Sequence, residues 1–161
     1  MPQALYNANS EGAVALAAAG TVKTVFGVRG DSGVAVLLKE VWFSFDGVTA
    51  SEKPILVELC YATWATNPPG TASTGVSIYQ SQGRTVAETF SAAKNWTTEP
   101  TVLTTVLEQF DYDPTKGMYR YAYSLGDEYD SAAAEGFALR MTIPAAGAAV
   151  NARVGMRFGR V

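Results

Sequence analysis

The sequence predicts an all-β fold, a single two-sheet antiparallel sandwich with an extended N-terminal arm. Three observations support this prediction. Apolar and polar residues alternate along several segments, as they do in strands that bury one face. Turn residues separate these segments at the short intervals typical of a sandwich, and no segment has the pattern of a long amphipathic helix. A jelly roll is the arrangement we expect for such a set of strands.

The N-terminal residues 1–20 are rich in Ala, Asn and Gly, and they predict an extended arm or a short strand. A helix is the alternative, because Ala is the best helix former, but isolated helices shorter than about 12 residues are only marginally stable. Residues 21–161 then form one sandwich domain, a size that buries enough surface to fold without disulfides.

The first half of this domain contains three predicted strands, each rich in β-branched or aromatic residues. They are Val22–Val28, Val34–Phe45 and Ile55–Tyr61. The second ends at the turn signal Asp46-Gly47. The following stretch, from Ala65 to Ser77, contains Asn67-Pro-Pro-Gly70 and predicts a surface loop.

The second half predicts a hairpin and two closing strands. The segments 102–110 and 118–124 flank a turn at 111–117, and Tyr119, Tyr121 and Tyr123 share one face of the second arm. Phe137–Ile143 and Val150–Phe158 show the most regular alternation in the chain.

The charge of the chain argues against two classes of partner. The formal net charge is −3, and the Lys and Arg residues are scattered except for three Arg residues near the C-terminus. Nucleic acids and anionic membranes reward a concentrated basic patch, so we expect neither as a partner. No apolar stretch reaches the roughly 20 residues that a membrane-spanning helix needs.

The residue types needed for most enzyme chemistry are missing. The chain has no His, which excludes Ser-His-acid triads and imidazole metal sites. Its acidic residues cluster at Asp111 and Asp113 and again between Asp127 and Glu135, where we interpret them as turn residues rather than a glycosidase pair or a calcium loop. Cys60 lies in an apolar run and predicts a small buried side chain. We therefore expect no enzyme activity, no cofactor and no metal.

The three Trp residues fall in different settings. Trp42 lies inside an apolar strand, where a core position is expected. Trp64 and Trp96 lie in or beside loops, where an aromatic ring can contact a partner at small entropic cost. Local packing of the loops is the open alternative for these two residues.

Several phrases of the sequence resemble small virion proteins of tailed bacteriophages. They are Val41–Ala50, Pro54–Trp64, Ala92–Pro100, Glu135–Phe137 and Ala152–Gly155. The resemblance implies a head decoration (cement) protein, a jelly-roll subunit, often a homotrimer, that binds the major capsid protein on the outer capsid surface of the virion. A carbohydrate-binding or receptor-binding module of a virion is the alternative.

A decoration protein needs contact surfaces, and we expect them at the N-terminal arm and two loops. The contact candidates are Ala4, Leu5, Tyr6, Asn7, Trp64 and Trp96. If the arm is a free attachment segment, deleting the residues before Gly20 abolishes binding to the capsid and leaves the sandwich folded.

Overall fold

The computed structural model of the chain describes residues 4–46, 53–82, 89–101 and 105–161. Gly47 of the predicted turn and residues 102–104 of the predicted hairpin lie outside these ranges. The described strands are β1 (Leu5–Asn9), β2 (Val14–Ala15), β3 (Val22–Gly30), β4 (Val36–Asp46), β5 (Ile55–Ala62), β6 (Thr74–Gly75), β7 (Ile78–Gln82), β8 (Phe90–Lys94), β9 (Thr105–Tyr112), β10 (Tyr119–Ala122), β11 (Tyr129–Asp130), β12 (Gly136–Thr142) and β13 (Asn151–Arg160). The 3-10 turn Pro114–Lys116 joins β9 to β10.

These strands form two antiparallel sheets. Sheet A has the order β10-β4-β13-β1-β7, with β11 also paired to β4 and β2 to β13. Sheet B has the order β6-β8-β3-β12-β5-β9. The prediction of an all-β, two-sheet antiparallel sandwich is confirmed, whereas the jelly roll stays a prediction.

The core lies between the sheets and is built by alternation along the strands. In β13, Ala152, Val154, Met156 and Phe158 are buried, whereas the alternating Arg153 and Arg157 lie on the outer face. Phe137, Leu139 and Met141 of β12 are buried in the same way. The alternation predicted for the two closing strands therefore fixes which side chains enter the core.

The N-terminal stretch is extended, as predicted, but it is part of the sandwich and not a projecting arm. Strand β1 lies between β13 and β7, with Leu5 opposite Gly159 and Ala8 opposite Met156. Tyr6 and Ala8 are buried, and the Tyr6 ring packs against Phe90 with centroids 5.0 Å apart. Of the predicted extended arm, short strand and helix, the structure contains the short strand.

The predicted hairpin is wrong. Strand β9 pairs with β5 in sheet B, and β10 pairs with β4 in sheet A, so the turn at 113–117 crosses from one sheet to the other. Both strands have an apolar face, and these faces meet across the core, with the Phe110 and Tyr119 ring centroids 5.0 Å apart. The two strands therefore contribute to the core from opposite sheets.

The prediction that Trp42 is a core residue is also wrong. Its side chain is half-buried and lies on the outer face of sheet A, opposite Gly155 on one neighbour and Arg120 on the other. Val41 and Phe43 on either side of it are the residues that enter the core. Alternation along β4 places the Trp42 side chain on the outer face of sheet A. Because the neighbouring residues are also apolar, the sequence does not reveal this alternation.

Candidate protein-binding site

The two sheets end on the same side of the sandwich, and aromatic side chains join their last strands. Sheet B ends there at β9, and sheet A ends at β10 and β11. The Tyr119 ring contacts Phe110 and Tyr112 of β9, with centroids 5.0 Å and 5.8 Å apart. We call this side the tyrosine edge, formed by Val106, Glu108, Tyr119, Tyr121, Tyr123, Leu125 and Tyr129.

A carboxylate lies in the middle of this edge. Glu108 pairs with Leu59, whose side chain is buried, so Glu108 points toward the inner face of sheet B. The Tyr123 hydroxyl donates a hydrogen bond of 2.9 Å to Glu108. Burial, and then the charge of Glu108, raises the pKa of Tyr123 and of Tyr129 above the ordinary value for a phenol. Both phenols therefore stay neutral donors at physiological pH.

Around this bond, the tyrosine edge exposes large apolar side chains. Leu125 is 93% exposed, Tyr121 is 46% exposed and Val106 is 37% exposed. Leu125 lies two residues from Tyr123 along the chain, whereas Val106 pairs with Cys60 and lies on the outer face of sheet B. The Tyr121 ring is held by an edge-to-face contact with Tyr123 at 5.0 Å, so it is presented in a fixed orientation. Rigid aromatic and aliphatic groups of this kind are typical of protein-contact surfaces.

The form of the edge favours contact through side chains over the addition of a strand. The pairing of β5 with β9 contains a bulge between Leu59 and Cys60, and Glu108 is an inward-pointing charge on the outermost strand. Bulges and inward charges on edge strands are features that prevent edge-to-edge pairing. A partner is therefore expected to pack on Tyr121 and Leu125.

The predicted contact residues Trp64 and Trp96 are not on the surface. They are 4% and 1% exposed, and their rings stack with centroids 5.6 Å apart and an angle of 14°. Together with Cys60, Ala62, Ala93 and Ala138 they form a second apolar cluster. The indole N–H of Trp64 donates to the Val28 carbonyl, and that of Trp96 donates to the Asn67 carbonyl. The prediction of two exposed loop aromatics is wrong, and the alternative, local packing, is the arrangement that the structure has.

The four N-terminal contact candidates are divided by the pleat of β1. Tyr6 is buried, Ala4, Leu5 and Asn7 are half-buried, and none of them is fully exposed. Leu5 and Asn7 alternate with Tyr6, so they lie on the outer face of sheet A. These side chains are held between β13 and β7, away from the tyrosine edge at the far end of the same sheet.

One residue of each predicted acidic cluster makes a contact that holds local structure. Asp113 accepts a hydrogen bond of 2.9 Å from the Thr115 N–H, and Glu128 forms an ion pair of 2.6 Å with Lys39. These contacts lower the pKa of both carboxyls. No three potential metal ligands come together anywhere in the described ranges. Cys60 is buried as predicted, and desolvation raises the pKa of its thiol to about 11, which keeps it protonated and unreactive.

The sequence contains part of the signal for the tyrosine edge. The shared face of Tyr119, Tyr121 and Tyr123 is correctly predicted, but its assignment to a hairpin hides its position at a sheet end. Glu108 and Leu125 carry no pattern that distinguishes them from residues of an ordinary strand and turn.

Comparison with protein-family models, curated proteins and solved structures finds no match to this chain. Among the described residues, no helix is long and apolar enough to cross a membrane.

Proposed function

We propose that the chain is a virion structural protein of the decoration (cement) type, which binds the outer capsid surface and stabilises the shell. Its partners are the major capsid protein and further copies of itself, assembled as a homotrimer. The tyrosine edge is the observation that carries the proposal. It offers a patch of exposed apolar side chains on a sandwich where Asp113 serves in a turn and Glu128 in an ion pair.

The tyrosine edge is assigned in this proposal to contact between copies of the chain. Removing the exposed Leu125 and Tyr121 side chains from water stabilises the assembly of copies. The stabilisation is about 1.5–3 kcal/mol for a large apolar side chain that becomes fully buried. A closed ring of copies buries this edge on each of them. A trimer then presents three copies of every shell-binding surface, which strengthens attachment to a symmetric shell without any new contact.

Sedimentation of purified protein tests the assignment of the edge. We expect the wild-type chain to sediment as a trimer, and a Tyr121→Ser, Leu125→Ser double variant to sediment as a monomer. Tyr79→Ser is the matched control, because Tyr79 is 58% exposed on β7, the edge strand at the opposite end of sheet A. A wild-type monomer, or a double variant that remains trimeric, would contradict the assignment.

Binding to capsids tests the function itself. The wild-type chain is expected to cosediment with shells of the cognate phage at a fixed ratio to the shell subunit and to raise their temperature of disruption. The monomeric double variant should bind less tightly and Tyr79→Ser normally. Absence of the wild-type chain from cognate particles, or binding without a saturating ratio, would overturn the proposal.

A further inference from the structure

The outer face of sheet A carries a groove that the tyrosine edge does not use. Its volume is about 330 Å³, at the small end of the range for ligand pockets. The residues that line it are Asn9, Ser10, Glu11, Gly12, Trp42, Ser44, Met118, Arg153 and Val154. They come from β4, from β13, from the end of β1 and the segment after it, and from the residue before β10. Three paired strands of one sheet therefore contribute to the groove.

Trp42 is held rigidly in this groove. Its indole lies over the backbone of Gly155, and a Cβ atom at that position would overlap the ring. The guanidinium carbon of Arg120 lies 5.8 Å from the ring centroid, in cation-π contact, and Arg120 is itself paired with Glu40. A fixed aromatic ring at the wall of a groove, with the 59%-exposed Met118 beside it, provides an apolar surface for a ligand.

The polar groups of the groove include both donors and acceptors. The side-chain Oδ1 of Asn9 accepts a 2.8 Å hydrogen bond from the backbone N–H of Glu11, which leaves the side-chain N–H groups of Asn9 to donate. One oxygen of Glu11 accepts from the Ser77 N–H at 2.8 Å, and the lone pairs of a carboxylate leave room for a further donor. The Ser44 hydroxyl has no hydrogen-bond partner within the described residues, and the Arg153 guanidinium has only a 3.5 Å contact with Asp46.

The two charged groups of the groove have opposite signs. Hydrogen bonds from Ser77 lower the pKa of Glu11, so this carboxylate is ionised at neutral pH, and Arg153 is always charged. An anionic ligand would be repelled by Glu11, and a cationic ligand by Arg153. The charges therefore favour a neutral ligand that offers donors and acceptors together.

We propose that this groove binds a neutral saccharide through one pyranose ring. Each sugar hydroxyl both donates and accepts, so adjacent hydroxyls can bond to Glu11 on one side and to Arg153, Asn9 or Ser44 on the other. The C–H face of the ring packs on Trp42 and Met118. The groove shares no residue with the tyrosine edge, so separate substitutions test the two proposals.

Nuclear magnetic resonance of the ¹⁵N-labelled full chain tests the proposal. The probes are the methyl glycosides of glucose, galactose, mannose and N-acetylglucosamine, with charged N-acetylneuraminic acid for comparison. We expect at least one neutral glycoside to shift the Trp42 indole N–H and the Asn9 side-chain amide in a saturable manner. N-acetylneuraminic acid should bind more weakly than that glycoside.

Variants then locate the site. Ser44→Ala and Arg153→Ala should each weaken binding about fivefold, the effect of one hydrogen bond of about 1 kcal/mol. Lys116→Ala removes an exposed cation that does not line the groove, and it should leave binding unchanged. Absence of a saturable shift with every neutral glycoside would overturn the proposal. Equal binding of the charged sugar, or full binding by both groove variants, would overturn it as well.

Discussion

At the scale of single residues, the outer faces of both sheets depend on a contact between a tryptophan and a glycine. Trp42 lies over Gly155 in sheet A, and Trp64 lies over Gly27 in sheet B. Glycine within a strand weakens the strand, and it often marks a place where another group approaches the backbone closely. The two glycines therefore have a packing role that their own strands do not require.

The Gly27→Ala substitution tests this packing role. A Cβ atom at Gly27 would lie 2.5 Å from the Cη2 atom of Trp64, and the stacked Trp96 ring prevents Trp64 from moving aside. We expect the free energy of unfolding to fall by about 1–3 kcal/mol, the cost of overpacking a core. Urea denaturation followed by circular dichroism measures this change.

Gly75→Ala provides the matched comparison for that experiment. Gly75 is also a strand glycine, in β6, but a Cβ atom there meets nothing within 4 Å. Its free energy of unfolding should stay within about 0.5 kcal/mol of wild type. Equal effects of the two substitutions would contradict the packing role of Gly27.

The burial of Trp64 and Trp96 could not be predicted from the residues around them. Loop composition correctly indicates irregular structure around Trp64, but it does not indicate the direction in which the loop folds. Trp64 and Asn95 have φ angles of 54° and 55°, in the left-handed region that side chains rarely adopt. These turns bring both indoles back over the small residues of sheet B, and the sequence carries no periodic signal for such a turn.

At the scale of elements, strand positions could be predicted and strand partners could not. Predicted strands at 22–28 and 137–143 coincide within two residues with β3 and β12, because alternation is a local property. The pairing of β9 and β10 was mispredicted because a short turn between two strands favours a hairpin. Their actual partners, β5 and β4, are distant in the sequence, and only the whole core selects them.

Deleting the N-terminal strands tests the corrected role of residues 4–20. Loss of β1 leaves β13 without one of its partners and removes the buried Tyr6 ring from the core. Removal of a buried aromatic side chain alone costs about 3–5 kcal/mol, a large share of the stability of a typical domain. We expect the chain lacking residues 1–19 to be unfolded, as judged by circular dichroism and by rapid proteolysis.

A shorter deletion separates the loss of β1 from the loss of chain length. The chain lacking only residues 1–3 retains all of β1 and should unfold cooperatively near the wild-type temperature. If the chain lacking residues 1–19 folds, β1 is not needed for the sandwich, and the projecting arm predicted from the sequence is favoured instead.

At the scale of the whole molecule, the first and last strands of the described chain are neighbours in sheet A. Strand β1 pairs with β13 along five successive residues, so the two ends of the chain meet in one ladder. The sandwich class follows from the number and patterning of the strands, which the sequence displays. The pairing of β1 with β13 does not follow from that patterning, because it joins residues more than 140 positions apart.

A circular permutant tests this closure. Leu5 lies opposite Gly159, so a linker of a few Gly and Ser residues can join the original ends, and new ends can be opened between Ala145 and Ala146. Both of these residues are exposed in the turn between β12 and β13, where a break costs little buried structure. We expect this permutant to give a wild-type circular dichroism spectrum and cooperative thermal unfolding, whereas one opened between Arg140 and Met141, inside β12, should not fold. Failure of the first permutant would mean that the register of β1 with β13 does not bring the chain ends together as described. Equal success of the second would mean that the assay does not distinguish an intact sheet from an interrupted one.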